Sequence, residues 1–158
     1  MKNKIKNFLK YLLKEYPHKS ELSASRLTKM LYLADWKNAL ENGTQMTDTT
    51  WHFNHYGPYV DDFIEIAEID KDIEIVDDIT IFGGRKRLVK LLENDQLDLN
   101  INPQEKQILD FVIDKTKSKN YEDFITLVYS TYPVISNTKY SDLDLVELAK
   151  QYKKLLQT

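Results

Sequence analysis

Leu27-Thr28-Lys29-Met30-Leu31-Tyr32-Leu33-Ala34-Asp35-Trp36 reads as a helix with apolar residues on almost every side. An ordinary surface helix keeps a broad polar face, so this segment is expected to be the central helix of the core. Leu27, Met30, Leu31, Ala34 and Leu40 form one stripe, which Tyr32, Leu33 and Trp36 widen. Ser23 is placed to cap the start of this helix. Asn42-Gly43 closes it, with glycine free to take the left-handed conformation of such ends. After a polar loop comes a ring-rich segment, Trp51-His52-Phe53-Asn54-His55-Tyr56-Gly57-Pro58-Tyr59. Its Gly-Pro step marks a turn and is expected to open a third helix running to about Ile69.

Outward from this pair the pattern is mostly helical. Ile5, Phe8, Leu9, Leu12, Leu13 and Tyr16 repeat at helical spacing, and Pro17 ends that first helix. Beyond the third helix, Ile73, Ile75, Ile79, Ile81 and Phe82 favour strands, and Gly83-Gly84 offers a tight turn before Arg85-Lys86-Arg87-Leu88-Val89. Asn102-Pro103-Gln104-Glu105 sets a cap, a first-turn proline and a glutamate in the order of a capping box. A fifth helix is expected over about 121–130, broken by Tyr132-Pro133, and a sixth is expected to be capped by Ser141. The predicted fold is therefore α+β: one mostly helical domain over 1–158, about six helices, with a small antiparallel hairpin or three-stranded sheet after the third helix.

The 158 residues contain no cysteine, which excludes disulfides, thiolate metal sites and cysteine nucleophiles. The N-terminal stretch is broken by Lys10, Lys14 and Glu15, so neither a signal peptide nor a membrane span is expected, and a cytoplasmic protein is. Net charge is −3, but it is uneven: residues 1–40 carry +6 and residues 41–82 carry −10. The acidic middle disfavours general nucleic-acid binding and suits a basic protein partner. The basic first helix and the Arg85-Lys86-Arg87 tip leave one alternative, a small nucleic-acid-binding transcriptional regulator.

Catalytic chemistry finds little support. There is no phosphate-binding glycine loop and no nucleophile elbow, and Ser130 and Ser136 have no nearby histidine. His52 and His55, with Asp48, Asp61 or Asp62, make only a weak metal constellation. Asp35 interrupts an apolar helix and leaves two readings open. It is an internal tie to Trp51, Tyr56 or a backbone N–H, or it is a contact to a partner.

Lys29-Met30-Leu31-Tyr32-Leu33-Ala34-Asp35 and Phe53-Asn54-His55-Tyr56-Gly57-Pro58, with Gly43, Met46 and Thr47 in the loop between them, resemble the Panacea domain, the SocA-like antitoxin family. Asn54 and Tyr59 depart from the usual pattern of that family. The resemblance implies a non-enzymatic antitoxin of a bacterial or prophage toxin–antitoxin system, without cofactor or metal. It implies direct binding of a cognate toxin and, as for at least one family member, delivery to a protease such as ClpXP. The expected partner-binding residues are Tyr32, Asp35, Trp36, Trp51, Tyr56, Tyr59, Asp61 and Asp62. Leu31, Phe53, Gly57 and Pro58 are expected to hold the motif together.

Overall fold

The computed structural model describes residues 2–60, 62–79, 83–92 and 99–157. Helix α1 (Lys2–Glu15) leads through a short 3-10 turn (Lys19–Glu21) into α2 (Ala24–Asn42). The Ser23 hydroxyl accepts from the Arg26 N–H at 3.1 Å, and Gly43 closes the helix at φ 75°. Thirteen of the nineteen α2 residues are buried, so the helix expected to be central is central. Around it pack α1, α4 (Pro103–Thr116), α5 (Tyr121–Tyr129) and α7 (Leu145–Leu156).

The ring-rich segment is not the entry to a helix. Trp51–Asn54 is strand β1 and Gly57–Tyr59 is strand β2, paired antiparallel with Asn54 opposite Gly57 and Phe53 opposite Pro58. Two backbone facts impose this. Gly57 sits at φ 100°, which no helix start accommodates, and Pro58 lies in an edge strand, where a missing N–H costs nothing. Burial alternates along β1, with Trp51 and Phe53 inward and His52 outward, which is the period of a strand. The third helix, α3 (Asp62–Ile69), begins only after this hairpin.

The two sheets are small and separate. β2-β1-β5 is completed by β5 (Asp142–Leu143), which pairs Leu143 with Trp51 and so brings the C-terminal part of the chain against the aromatic segment. β3 (Ile73–Ile79) and β4 (Arg85–Leu91) form the hairpin expected after the third helix. The expected strand formers Ile81 and Phe82 lie outside the described residues. The Val89 N–H donates to the Leu22 carbonyl at 2.9 Å, fastening that hairpin to the entry of α2.

Two further differences concern the helices. The described residues hold seven rather than six, because Pro133 lies in the first turn of a short helix, α6 (Tyr132–Ile135). Helix α7 is capped by the Asp144 carboxylate, not by Ser141. The stretch after Ser141 is taken up by the pairing of β5 with β1. The capping box on α4 is present as read, with Asn102 and Glu105 bonding reciprocally at 2.8 and 3.1 Å.

Buried charges tie these pieces together. Arg26, 1% exposed, places its Nη2 2.7 Å from the Tyr16 hydroxyl and 2.9 and 2.8 Å from the carbonyls of Thr116 and Lys119. The Thr116 carbonyl ends α4, where a helix dipole favours a cation, and that of Lys119 lies in the turn just beyond it. Lys10 on α1 lies 3.0 Å from both Asp70 and Asp72, holding the turn between α3 and β3.

Candidate partner-binding site

Helix α2 carries two buried charges that face the β1–β2 hairpin, and they are solved differently. Asp35 is fully buried. Its Oδ1 accepts the backbone N–H groups of Met46 and Thr47 at 2.8 and 3.0 Å. Its Oδ2 accepts the Thr47 hydroxyl at 2.6 Å and the Trp51 indole N–H at 2.9 Å. Burial pushes its pKa up to about 6, while the Thr47, Trp51 and Met46 donors pull the other way. Every donor comes from the loop after α2 or from β1, so Asp35 fixes the helix to the aromatic strand.

Trp51 then stands between Tyr32, with ring centroids at 5.6 Å, and Phe63 on α3, at 5.5 Å, both edge to face. The Tyr32 hydroxyl shares a 2.8 Å hydrogen bond with Thr131, and burial raises its pKa further above the ordinary phenol range.

Lys29, six residues before Asp35, is 2% exposed. Its ammonium donates to the Ser25 hydroxyl at 3.0 Å, and Ser25 in turn shares a 2.8 Å hydrogen bond with the Tyr121 hydroxyl. Burial alone pushes the Lys29 pKa down to about 8. On its other side lies Gly57, where an added Cβ would sit 3.6 Å from the Lys29 Cε and 3.5 Å from the Tyr129 hydroxyl. Phe53 meets the Tyr129 ring at 6.3 Å. Burial first, and then the neighbouring Tyr121, raise the Tyr129 pKa, which keeps that hydroxyl protonated.

Three tyrosines of the β1–β2 turn, α5 and the approach to β5 are exposed. Tyr56, 72% exposed, precedes Gly57 in the β1–β2 turn; Tyr121 is 49% exposed; Tyr140 is 77% exposed. The Tyr140 N–H bonds the Phe53 carbonyl, and its backbone is left-handed at φ 71°. A non-glycine residue in that region costs about 1–2 kcal/mol. Of the three tyrosines, Tyr121 reaches the buried Lys29 through Ser25, while Tyr56 and Tyr140 stand exposed on the β1–β2 turn and on the approach to β5.

The expected site residues are thus divided. Tyr32, Asp35 and Trp51 are wholly buried, and Asp35 serves as the internal tie between α2 and the aromatic strand. Trp36, 7% exposed, packs on Tyr152 and lines a groove between α2 and α4, where Lys37 lies 4.0 Å over the Phe111 ring. Tyr56 is on the open face, and Tyr59 is half-buried at the end of β2. Asp61 lies outside the described residues, as does the side chain of Asp62 at the start of α3. Leu31 and Phe53 are core residues, and Gly57 and Pro58 are buried in β2.

His52 pairs with Asp142 across β1 and β5, while His55 meets the Tyr56 ring edge to face, so the two histidines have separate partners. Among the described residues no group of three potential ligands could hold a metal ion.

Sequence reasoning passed over Lys29, Ser25, Tyr121, Tyr129 and Tyr140. For Lys29 the signal was present: a helix apolar on nearly every side must bury its lysine too. The tyrosines come from α5 and the approach to β5, and only the tertiary fold brings them to the hairpin.

The central buried helix is thus tied by its aspartate to an aromatic hairpin. The family model of the SocA-like antitoxins, the Panacea domain, matches residues 27–133, which is more than half of the chain. The chain belongs to that family. No curated protein and no solved structure matches it. No helix among the described residues is long and apolar enough to cross a membrane.

Proposed function

We propose that this chain is the neutralising component of a bacterial or prophage toxin–antitoxin pair. It acts in the cytoplasm, without catalysis, by binding its toxin directly, and the whole chain serves as one domain. The observation that carries this reading is the exposure of three large rings, Tyr56 on the β1–β2 turn, Tyr121 on α5 and Tyr140 on the approach to β5, on a rigid support. Tyrosine supplies large amphipathic contact area at low conformational entropy cost, which is what a binding surface needs. The buried Asp35 network keeps that surface preorganised, so little ordering is left to be done on association. Delivery of the bound toxin to a protease is compatible with this mode, since occlusion occupies only one face.

The nucleic-acid alternative loses support because several of its basic groups are paired within the chain. Lys4 pairs with Glu105 at 3.4 Å, Lys10 with Asp70 and Asp72, and Arg87 with Glu68 at 2.7 Å. Lys86 donates to the Ser20 carbonyl at 2.7 Å.

Co-expression tests the reading. The reading frame beside this gene is expressed alone and then with this chain. Growth arrest in the first case and rescue in the second are expected, with both proteins recovered as one complex. An adjacent product that is harmless alone, or arrest that this chain leaves unchanged, overturns it.

A further inference from the structure

Two of the lysines that this protein draws inward find a negative partner. Lys10 has Asp70 and Asp72, and the half-buried Lys37 has Glu41 at 2.6 Å. Lys29 is more buried than either, and among the described residues no carboxylate pairs with it. An ammonium carries three protons, and a single Ser25 hydroxyl receives one of them. A buried charge left in this state is expensive, and the usual resolution is a partner of opposite sign.

The surroundings are ready for one. Ser25 is half-buried and Tyr121 is exposed, so a chain of two hydroxyls runs from the ammonium to the surface. Tyr129 adds a third hydroxyl, and Gly57 presents no side chain over the lysine.

We propose that Lys29 anchors a carboxylate-binding site, which takes the side chain of an aspartate or glutamate that the protein partner inserts among Ser25, Tyr121 and Tyr129. The partner's carboxylate accepts from the ammonium and from the tyrosine hydroxyls, displacing the bond between Ser25 and Tyr121. Charge-assisted bonds of this kind are about twice as strong as neutral ones. The charge count selects a carboxylate over a phosphate. One cation matches one negative charge, and the exposed Glu122 and Asp123 beside Tyr121 would repel a dianion or a nucleic-acid backbone. The inference deepens the neutralisation reading and rests on it for the identity of the partner as a protein.

The test has two arms. In the first, the full chain carrying 15N at its lysine side-chain nitrogens is titrated with acetate, and separately with sulfate and inorganic phosphate at matched ionic strength. The Lys29 signal, assigned by its loss in Lys29→Met, should shift saturably with acetate and less with either dianion. A signal that acetate leaves unmoved, or that a dianion moves more, overturns the proposal.

In the second arm, Lys29→Met and Tyr121→Phe are measured against the toxin found by co-expression. Lys29→Met should bind at least about tenfold more weakly, equivalent to 1.4 kcal/mol, without a lower melting temperature. Tyr121→Phe should show a smaller loss. Unchanged binding by Lys29→Met sinks the carboxylate site and leaves the antitoxin reading standing. Failure of the wild-type chain to neutralise sinks the antitoxin reading, and the acetate arm still decides the site.

Discussion

Asp35 and Lys29 sit six residues apart on one helix, both inside the protein and both facing the same hairpin, yet they are opposites in more than sign. The aspartate meets four donors, all from its own chain. The lysine meets one acceptor. Burial drives both toward the neutral form, raising Asp35 to about 6 and lowering Lys29 to about 8. Only the aspartate has been given enough partners to repay that. A charge satisfied within the fold is part of the architecture. A charge left wanting at the edge of an exposed tyrosine face is where an outside group is expected to enter.

The hardest way to break this comparison is to remove the aspartate. Asp35→Ala leaves the Trp51 indole N–H, the Thr47 hydroxyl and two backbone N–H groups buried without an acceptor. Unpaired buried groups cost about 1–3 kcal/mol each, and relaxation will recover part of the sum. Denaturant unfolding should show a loss of about 3–5 kcal/mol, with the Trp51 fluorescence environment changed in whatever still folds. Asp35→Asn should lose less, since one amide oxygen keeps two of the four bonds. A loss below about 1 kcal/mol for the alanine variant would show that the tie is dispensable, and the contrast with Lys29 would go with it.

The second test uses pH, where the two charges should act at opposite ends. The folded Asp35 holds its proton up to about pH 6 and the unfolded one only to the ordinary carboxylate range, so the folded state binds more protons between them. Stability therefore falls as pH rises from about 4 to about 6. The folded Lys29 gives up its proton near pH 8 and the unfolded one near 10.5. Here the unfolded state binds more protons, and stability rises as pH climbs through that window, by about 3 kcal/mol. Lys29→Met should abolish this alkaline gain and, at neutral pH, be more stable than wild type by about 1–3 kcal/mol. A variant that is more stable and yet neutralises poorly is the signature of a residue kept for binding. A destabilised Lys29→Met would instead make the lysine a structural group like Asp35.

Much of this scaffold was legible in the residues. The all-round apolarity of 27–36 located the central helix, and the capping box at Asn102 located α4, because both signals are local. Asp35 was legible as an oddity, a carboxylate in an apolar helix, and Trp51 was among its expected partners. The strand pair in 51–59 was misread because Gly-Pro serves two geometries, a turn that opens a helix and a turn within a hairpin. The choice between them depended on pairing with β5, ninety residues away in sequence for His52 and Asp142. The tyrosine face was illegible for the same reason. Tyr121, Tyr129 and Tyr140 become neighbours of Lys29 and Phe53 only when α5 and β5 close against the hairpin.

Gly57 sharpens the comparison from the hairpin side. At φ 100° an alanine is strained whatever space it has, at a cost of about 1–3 kcal/mol. Its methyl would meet the Tyr129 hydroxyl and the Lys29 Cε at ordinary contact distance, so the strain, not a clash, is the structural effect. Gly57→Ala should therefore fold with a lowered melting temperature and lose affinity for the toxin beyond what its stability explains, because the methyl roofs the lysine. Affinity that simply tracks stability across several destabilised variants would mean that Gly57 serves the turn alone.

The smallest expected effect separates the buried lysine from the acidic surface as the source of binding. The acidic middle of the chain is partly consumed inside the protein, with Asp70 and Asp72 on Lys10 and Glu68 on Arg87. Glu65 on α3 remains exposed. Reversing it, Glu65→Lys, should change toxin affinity by less than about 1 kcal/mol, and that change should fade as salt is added, since exposed charges are screened within about 8–10 Å. A carboxylate seated on Lys29 is screened far less, so the loss in Lys29→Met should persist from low to high salt. Calorimetric titration of the complex at two salt concentrations, for wild type and the two variants, reads both at once. If the Glu65 variant shows the large, salt-steep loss and the Lys29 variant the small one, the partner is held by surface charge. The buried lysine would then have no part in recognition.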